Sequence, residues 1–315
     1  MVSAPAPARV GLIPAAVKAS PLALSADLSS EAAFVAIVAA CLRHAEANEP
    51  AVLSDQVEGI HQMRVAFRRL RSALKLFRTL VPRAASATLV EEIRWLNSHL
   101  GPARDWDVFA EEGLTPLLAH FPRKRGLLLF RQRVAAIRAA HHRALREALA
   151  EPRYALLRQS GADWLARQPW REGLRESWQR RLAAPLPAFA TPLLERQYRR
   201  VVKQGEHFAQ LSAERRHRLR IRVKELRYAL DFLAGLYPAA EVRDCLGALS
   251  RLQDDLGVMN DIAVTRRLLD EAGLRTVTAA RQVIEGWYGC RLDVHERGFV
   301  ASWLAFMDCK RPWKD

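Results

Sequence analysis

From Glu31 onward, apolar residues recur at helical spacing, and no stretch alternates Val, Ile and Thr between hairpin turn residues. The chain therefore reads as all-α. The clearest segment follows Gly59. Met63, Phe67, Leu70, Leu74 and Phe77 are spaced 4, 3, 4 and 3, so at about 100° per residue they share one arc of a helix. His61, Arg64, Arg68, Arg71, Lys75 and Arg78 are spaced 3, 4, 3, 4 and 3 and take the adjoining arc. One arc is a core face. The other is a row of cations with no acid between Gly59 and Val90, and such a row repels itself unless an anion neutralises it.

This segment occurs twice. His61-Gln-Met-Arg-Val-Ala-Phe-Arg-Arg-Leu-Arg lies over His217-Arg-Leu-Arg-Ile-Arg-Val-Lys-Glu-Leu-Arg at an offset of 217 − 61 = 156. Kept without a gap, that offset lays Pro82 on Pro238, Leu100-Gly101 on Leu256-Gly257 and Asp105 on Asp261. The pattern predicts an internal duplication. The first helical repeat covers 31–165, a connector 166–186 carries Trp170 and Trp178, and the second repeat covers 187–315. Breakers, Gly101-Pro102 and Gly257 among them, divide the first copy into helices near 31–48, 60–80, 86–100, 104–119 and 123–150. They divide the second near 190–210, 213–236, 241–256, 261–272 and 276–308. Two pseudo-symmetric four-helix bundles follow. Asp105 and Asp261 then cap the helices that begin after each glycine turn, and Arg104 sits beside the first turn. Residues 1–30 are rich in Ala, Pro and Ser, are interrupted by Pro5, Pro7, Pro14 and Pro21, and read as a flexible tail.

In the second copy His217, Arg220, Lys224 and Arg227 hold the basic arc, with Arg215, Arg216, Arg218 and Arg222 around its start. Asp231 stands where the first copy has Lys75, and with Glu225 it dilutes the stripe. Over the whole chain 49 Lys and Arg face 34 Asp and Glu, a net charge of +15. A surplus of this size favours polyanions: nucleic acid, acidic lipid or phosphate polymers. Arginine dominates the rows, and its planar guanidinium grips phosphate oxygens two at a time. For His61 and His217 two roles stay open, donation to a phosphate and a structural hydrogen bond to a neighbouring helix. The segment from Arg123 to Glu147 holds eight Lys and Arg against one acid and reads as a solubilising face.

Several chemistries lack their sequence signals. There is no P-loop, dinucleotide-binding glycine motif, G-x-S-x-G or H-E-x-x-H, and no nucleophile is paired with a base. No cluster of acids resembles a metal site for phosphoryl transfer; Asp254, Asp255 and Asp261 come closest and read as helix-end charges. His141-His142 lacks a partner at metal-ligand spacing. No catalytic residue, metal or cofactor is expected, and the chain reads as a non-enzyme. Cys41, Cys245, Cys290 and Cys309 are scattered, which fits a reducing compartment. No apolar run reaches the roughly 18 residues of a membrane span, so the expected location is the cytoplasm.

At the two basic helices the sequence resembles the CHAD family, the conserved histidine α-helical domain. Leu100-Gly-Pro-Ala-Arg-Asp-Trp-Asp-Val, Leu252-Gln-Asp-Asp-Leu-Gly-Val-Met-Asn-Asp and the Trp-containing end from Ser302 to Trp313 extend the likeness over roughly residues 31 to 315. The resemblance implies two four-helix bundles about a pseudo-two-fold, with a basic central groove or pore that binds inorganic polyphosphate. It implies binding roles for His61, Arg64, Arg68, Arg71, His217, Arg220, Lys224 and Arg227; Lys75 and Arg222, on or beside the same rows, complete the expected site. CHAD units often follow a CYTH domain. No E-x-E-x-K motif of that domain is present, so a stand-alone CHAD protein is expected, acting on polyphosphate free or in granules. RNA or another polyanion is the alternative ligand. It is weaker because only Tyr228 lies along the basic rows, where base stacking needs aromatics.

Overall fold

The computed structural model describes residues 14–274 and 278–314, and within them every extended element of secondary structure is helical. Four long helices build each half: α1 (Ser30–Ala47), α3 (Val57–Leu76), α4 (Ala87–Val108) and α6 (Arg125–Ala150), then α9 (Leu186–Gly205), α10 (Ala213–Phe232), α11 (Ala239–Glu271) and α12 (Ala279–Met307). Short helices α2 (Glu49–Leu53), α5 (Thr115–His120), α7 (Pro152–Arg167) and α8 (Glu176–Ala183) fill the connections. The 156-residue offset lays α3 on α10 end to end and pairs the other three long helices with overlapping limits. Side-chain caps fix several starts. Ser29 Oγ accepts from Ala32 N at 3.1 Å, and Ser212 Oγ accepts from Arg215 N at 3.3 Å, as serine at this position is expected to do.

The expected breaks at Gly101-Pro102 and Gly257 do not occur. Helix α4 runs through Pro102, and α11 runs through Gly257 for 33 residues. An interior glycine costs about 1 kcal/mol and a proline about 3 kcal/mol, but here apolar burial continues on both sides. Leu96, Leu100, Ala103 and Trp106 are all buried along α4, as are Leu249, Leu252, Leu256, Leu268 and Leu269 along α11. Packing overrides local preference. Asp105 and Asp261 are consequently mid-helix residues and not caps.

Two cores result, and each draws on both repeats. The larger gathers α1, α3, α9, α10, the near halves of α4 and α11, and Phe299 and Phe306 of α12. The smaller closes the far ends, where Trp106, Phe109, Phe130 and Leu127 meet Leu268, Leu269, Ile284 and Tyr288. The halves are thus interlocked rather than self-contained. The connector joins the larger core: Trp170 is buried, its Nε1 donating to Glu31 at 2.8 Å, and Trp178 Nε1 donates to Leu80 O at 2.7 Å.

Residues 14–29 are bound to the body of the protein, in place of the tail expected over 1–30; residues 1–13 lie outside the described residues. Val17 N donates to Asn48 Oδ1, and Asn48 Nδ2 donates back to Val17 O, both at 2.9 Å. Leu24 is buried in the larger core.

The two basic helices touch each other at the pseudo-two-fold. Arg69 of α3 pairs with Asp231 of α10, and Lys75 of α3 pairs with Glu225 of α10. The offset turns position 69 into 225 and position 75 into 231. A two-fold sets i against j and j against i, and these are the same contact made twice. Glu225 and Asp231 are therefore the counter-charges of the first repeat's cations.

Candidate functional site

Beside the N-terminal halves of α3 and α10 lies a cavity of about 500 Å³. One wall carries His61, Arg64 and Arg68 from α3 with Arg220 and Lys224 from α10; α4 and α11 form the other, with Arg104, Asp105, Asp254 and Asp261. Arg64 is the two-fold image of Arg220, and Arg68 of Lys224. The four cations thus come from two helical turns used twice.

Burial and mutual repulsion dominate the electrostatics. Burial, with Arg220 and Arg68 adding to it, brings the Lys224 ammonium down to about 7. Burial likewise holds Arg64 and Arg220 below the ordinary arginine value. His61 lies below the usual histidine range through burial and the nearby Arg104 guanidinium, which favours the neutral ring at neutral pH. Arg68 Nε and Arg220 Nε are buried with no hydrogen-bond partner. Such orphan donors are costly.

The carboxylates hold the frame. Asp105 accepts from Arg64 at 3.1 Å and from Arg267 of α11 at 2.7 Å, tying three helices together. Arg64 also donates to Gly101 O at 2.8 Å, beside Pro102. Asp105, Glu112, Asp254 and Asp261 stand on the cavity wall. Among the described residues, no three of His, Cys, Asp and Glu gather closely enough to hold a metal ion. The rim is shaped by a π-helical turn, Phe109–Leu114, just before Pro116. A side chain at Gly113 would collide with Tyr288 Oη, so glycine lets Tyr288 close the cavity from α12.

The expected site divides. His61, Arg64, Arg68, Arg220 and Lys224 line the cavity. Lys75 and Arg222 do not; both are engaged by buried Glu225, Arg222 at 2.9 Å. Arg71 is exposed outside the cavity, and His217 is exposed in the first turn of α10. Arg227 acts at one remove, with Nε donating at 3.0 Å to Gln253, itself a lining residue. Beyond Arg68 the row of α3 leaves the cavity: Arg71 is exposed, and Lys75 meets Glu225 of α10. Arg291 of α12 also lines the cavity, and nothing in its sequence neighbourhood marked it. His142, discounted on sequence, binds the fully buried Asp107 at 2.8 Å, alongside Arg138 at 2.5 Å. That network ties α4 to α6 and lies apart from the cavity lining.

The family model of the CHAD domain matches residues 36–270. Among solved structures, the crystal structure of the CHAD domain from the plant Ricinus communis is 33% identical to this chain. It covers 95% of this chain and 98% of its own, with a TM-score of 0.79. PptA from Streptomyces chartreusis is similar in fold at 15% identity and a TM-score of 0.63, over 88% of this chain and 100% of its own. A search of curated proteins finds no match.

Proposed function

The chain belongs to the CHAD domain family, and from that premise we propose that it binds inorganic polyphosphate in the cleft that α3 and α10 line opposite α4 and α11, as a binding protein and not an enzyme. One observation carries this reading. Arg64, Arg68, Arg220 and Lys224 converge from both repeats on one cavity, partly desolvated, with two guanidinium Nε donors buried and unpaired. Only an anion with several acceptor oxygens relieves both the repulsion and the orphaned donors at once. A phosphate chain brings a charge on every unit and asks for no base recognition.

The lining aromatics bear on the RNA alternative. Phe109 and Tyr288 are buried, and Tyr228 is 2% exposed beneath the guanidinium groups of Arg68, Arg69 and Arg227. None offers a free face for a base. None of the described helices is long and apolar enough to cross a membrane. In this proposal the protein acts in the cytoplasm, on free polyphosphate or at polyphosphate granules.

The test pairs a competition titration with a charge reversal. Labelled long-chain polyphosphate bound to the protein is challenged with unlabelled polyphosphate, RNA and duplex DNA at matched phosphate and physiological salt. Polyphosphate is expected to compete far better than either nucleic acid. Replacing Arg64, Arg68, Arg220 and Lys224 together with Glu should abolish binding while circular dichroism shows retained helicity. A folded reversal variant that binds like the parent would overturn the assignment.

A further inference from the structure

The pseudo-two-fold also relates two surfaces that are filled differently. On the first half, residues 17–22 lie over α1 and enclose a cavity of about 270 Å³ with Ala40, Arg43, His44 and Ala47. The segment then runs on until Leu24 O meets the backbone at Gly235. The offset carries those four α1 positions onto Arg196, Arg199, Arg200 and Lys203 of α9, and carries Gly235 back onto Thr79. On this second surface the C-terminal segment reaches α9 at Glu195, through Arg311 and Trp313, and the groove lining itself comes from α9. A groove of about 440 Å³ along Arg196, Arg199, Arg200 and Lys203 meets another of about 220 Å³ beside Thr79, the two sharing Pro192 and Arg196.

The two surfaces differ in charge as well as in cover. Under the strap, two of the four positions are alanine; in the open groove all four are cations, and all four are exposed. Their spacing keeps them along one side of α9 over about 10 Å. The nearby acids are already engaged. Glu195 pairs with Arg199 and Arg311, and Glu225 with Lys75 and Arg222. Among the described residues no ion pair involves Arg196, Arg200 or Lys203. Arg200 lies below the ordinary arginine value, through burial first and then through Arg222, Arg196 and Arg78. A basic helix face is ordinarily just solvated. Here it is concave, crowded with like charge, and the image of a surface that the fold covers elsewhere. The strap of a second copy does not fit it, because residues 14–22 carry Lys18 and no acid.

We infer that the α9 groove is a second binding site for the phosphate chain, engaged by long chains in addition to the cleft. The inference takes its ligand class from the function proposed above. A chain held in the cleft raises the local concentration of its own free length, so a modest second contact adds substantially to retention.

The experiment compares three proteins: the parent, the groove variant R196A/R200A/K203A and the cleft reversal variant. Arg196, Arg200 and Lys203 neither line the cleft nor make an ion pair among the described residues, so the fold is expected to be undisturbed. Each protein is titrated with tripolyphosphate and with long-chain polyphosphate at several salt concentrations. In the groove variant, long-chain affinity should fall on the order of tenfold. Its log–log salt slope should shrink by about two, the value for three lost contacts on a single-stranded polyanion, while tripolyphosphate binds as in the parent. Unchanged long-chain affinity and slope would sink the inference, and so would equal losses for both probes, which would place the effect in the cleft. If the cleft variant keeps its binding while the groove variant loses long chains, the cleft reading falls and the groove stands.

Discussion

Helices α3 and α10 are basic along most of their length, yet their two halves answer the crowding of charge differently. In the C-terminal halves, Arg69 and Lys75 meet Asp231 and Glu225 across the pseudo-two-fold, so the repeats neutralise each other. In the N-terminal halves, Arg64 and Arg68 meet Arg220 and Lys224, and the nearby acids Asp105 and Asp261 stand on α4 and α11. The first arrangement stabilises the fold and fixes which copy packs on which. Two first repeats would set cation against cation, and two second repeats acid against acid. The second arrangement leaves like charges facing one another across the cavity, and the proposed ligand would neutralise them. A count of basic residues cannot separate the two; the separation lies in what faces each row.

The sharpest way to break this contrast is to bring the C-terminal solution into the cleft. Lys224→Glu places a counter-charge among Arg64, Arg68 and Arg220. Polyphosphate affinity measured by calorimetry should drop by about a hundredfold or more, roughly 3 kcal/mol, while the unliganded protein melts higher than the parent. A lower melting temperature would mean the cleft cations do not repel one another as described.

The converse change removes the counter-charge where it exists. Asp231→Ala leaves Arg69, whose side chain is 12% exposed, without its carboxylate. A loss of about 2 kcal/mol in urea unfolding is expected, below the 3–5 kcal/mol of a fully buried pair because Asp231 is a third exposed. The reversed pair R69D/D231R should recover part of that loss, and a double-mutant cycle with no coupling would remove the contact from the account.

Smaller in size is the pH response of the cleft. The folded value of Lys224, about 7, lies below its ordinary value of 10.5. Between these limits the unfolded chain binds more protons than the folded one, so unliganded stability rises with pH and is lost as pH falls toward 7. Binding runs the other way, because a phosphate chain favours the ammonium and draws in a proton. Affinity should fall on the order of tenfold from pH 7 to pH 9, and Lys224→Arg should flatten that profile. The smallest effect belongs to the outlying row: Arg71→Ala should change tripolyphosphate affinity less than about twofold, a typical scale for one exposed charge.

The all-helical architecture, the duplication and the two basic helices could be read from the chain, because helical period and repeat offset are local or translational properties. The positions of His61, Arg64, Arg68, Arg220 and Lys224 in one cavity agree with the arc that spacing defined. Spacing could not tell Arg68 from Lys75, two turns apart on the same row, because the difference is that Lys75 meets Glu225 of α10 while Arg68 faces the cavity. Nor could it show that Gly101-Pro102 and Gly257 are carried through by burial on both sides, or that Asp105 serves Arg64 and Arg267 instead of a helix end.

Glu225 and Asp231 mark the boundary most clearly. On sequence they dilute a basic stripe; in the folded chain they complete it from the other copy. The chain by itself determined which residues share a face, since 3.6 residues per turn settles that within each helix. Which faces meet, and so which charges are neutralised within the fold and which gather in one cavity, was decided only when the two repeats packed about their pseudo-two-fold, since that docking is an interaction between segments more than a hundred residues apart.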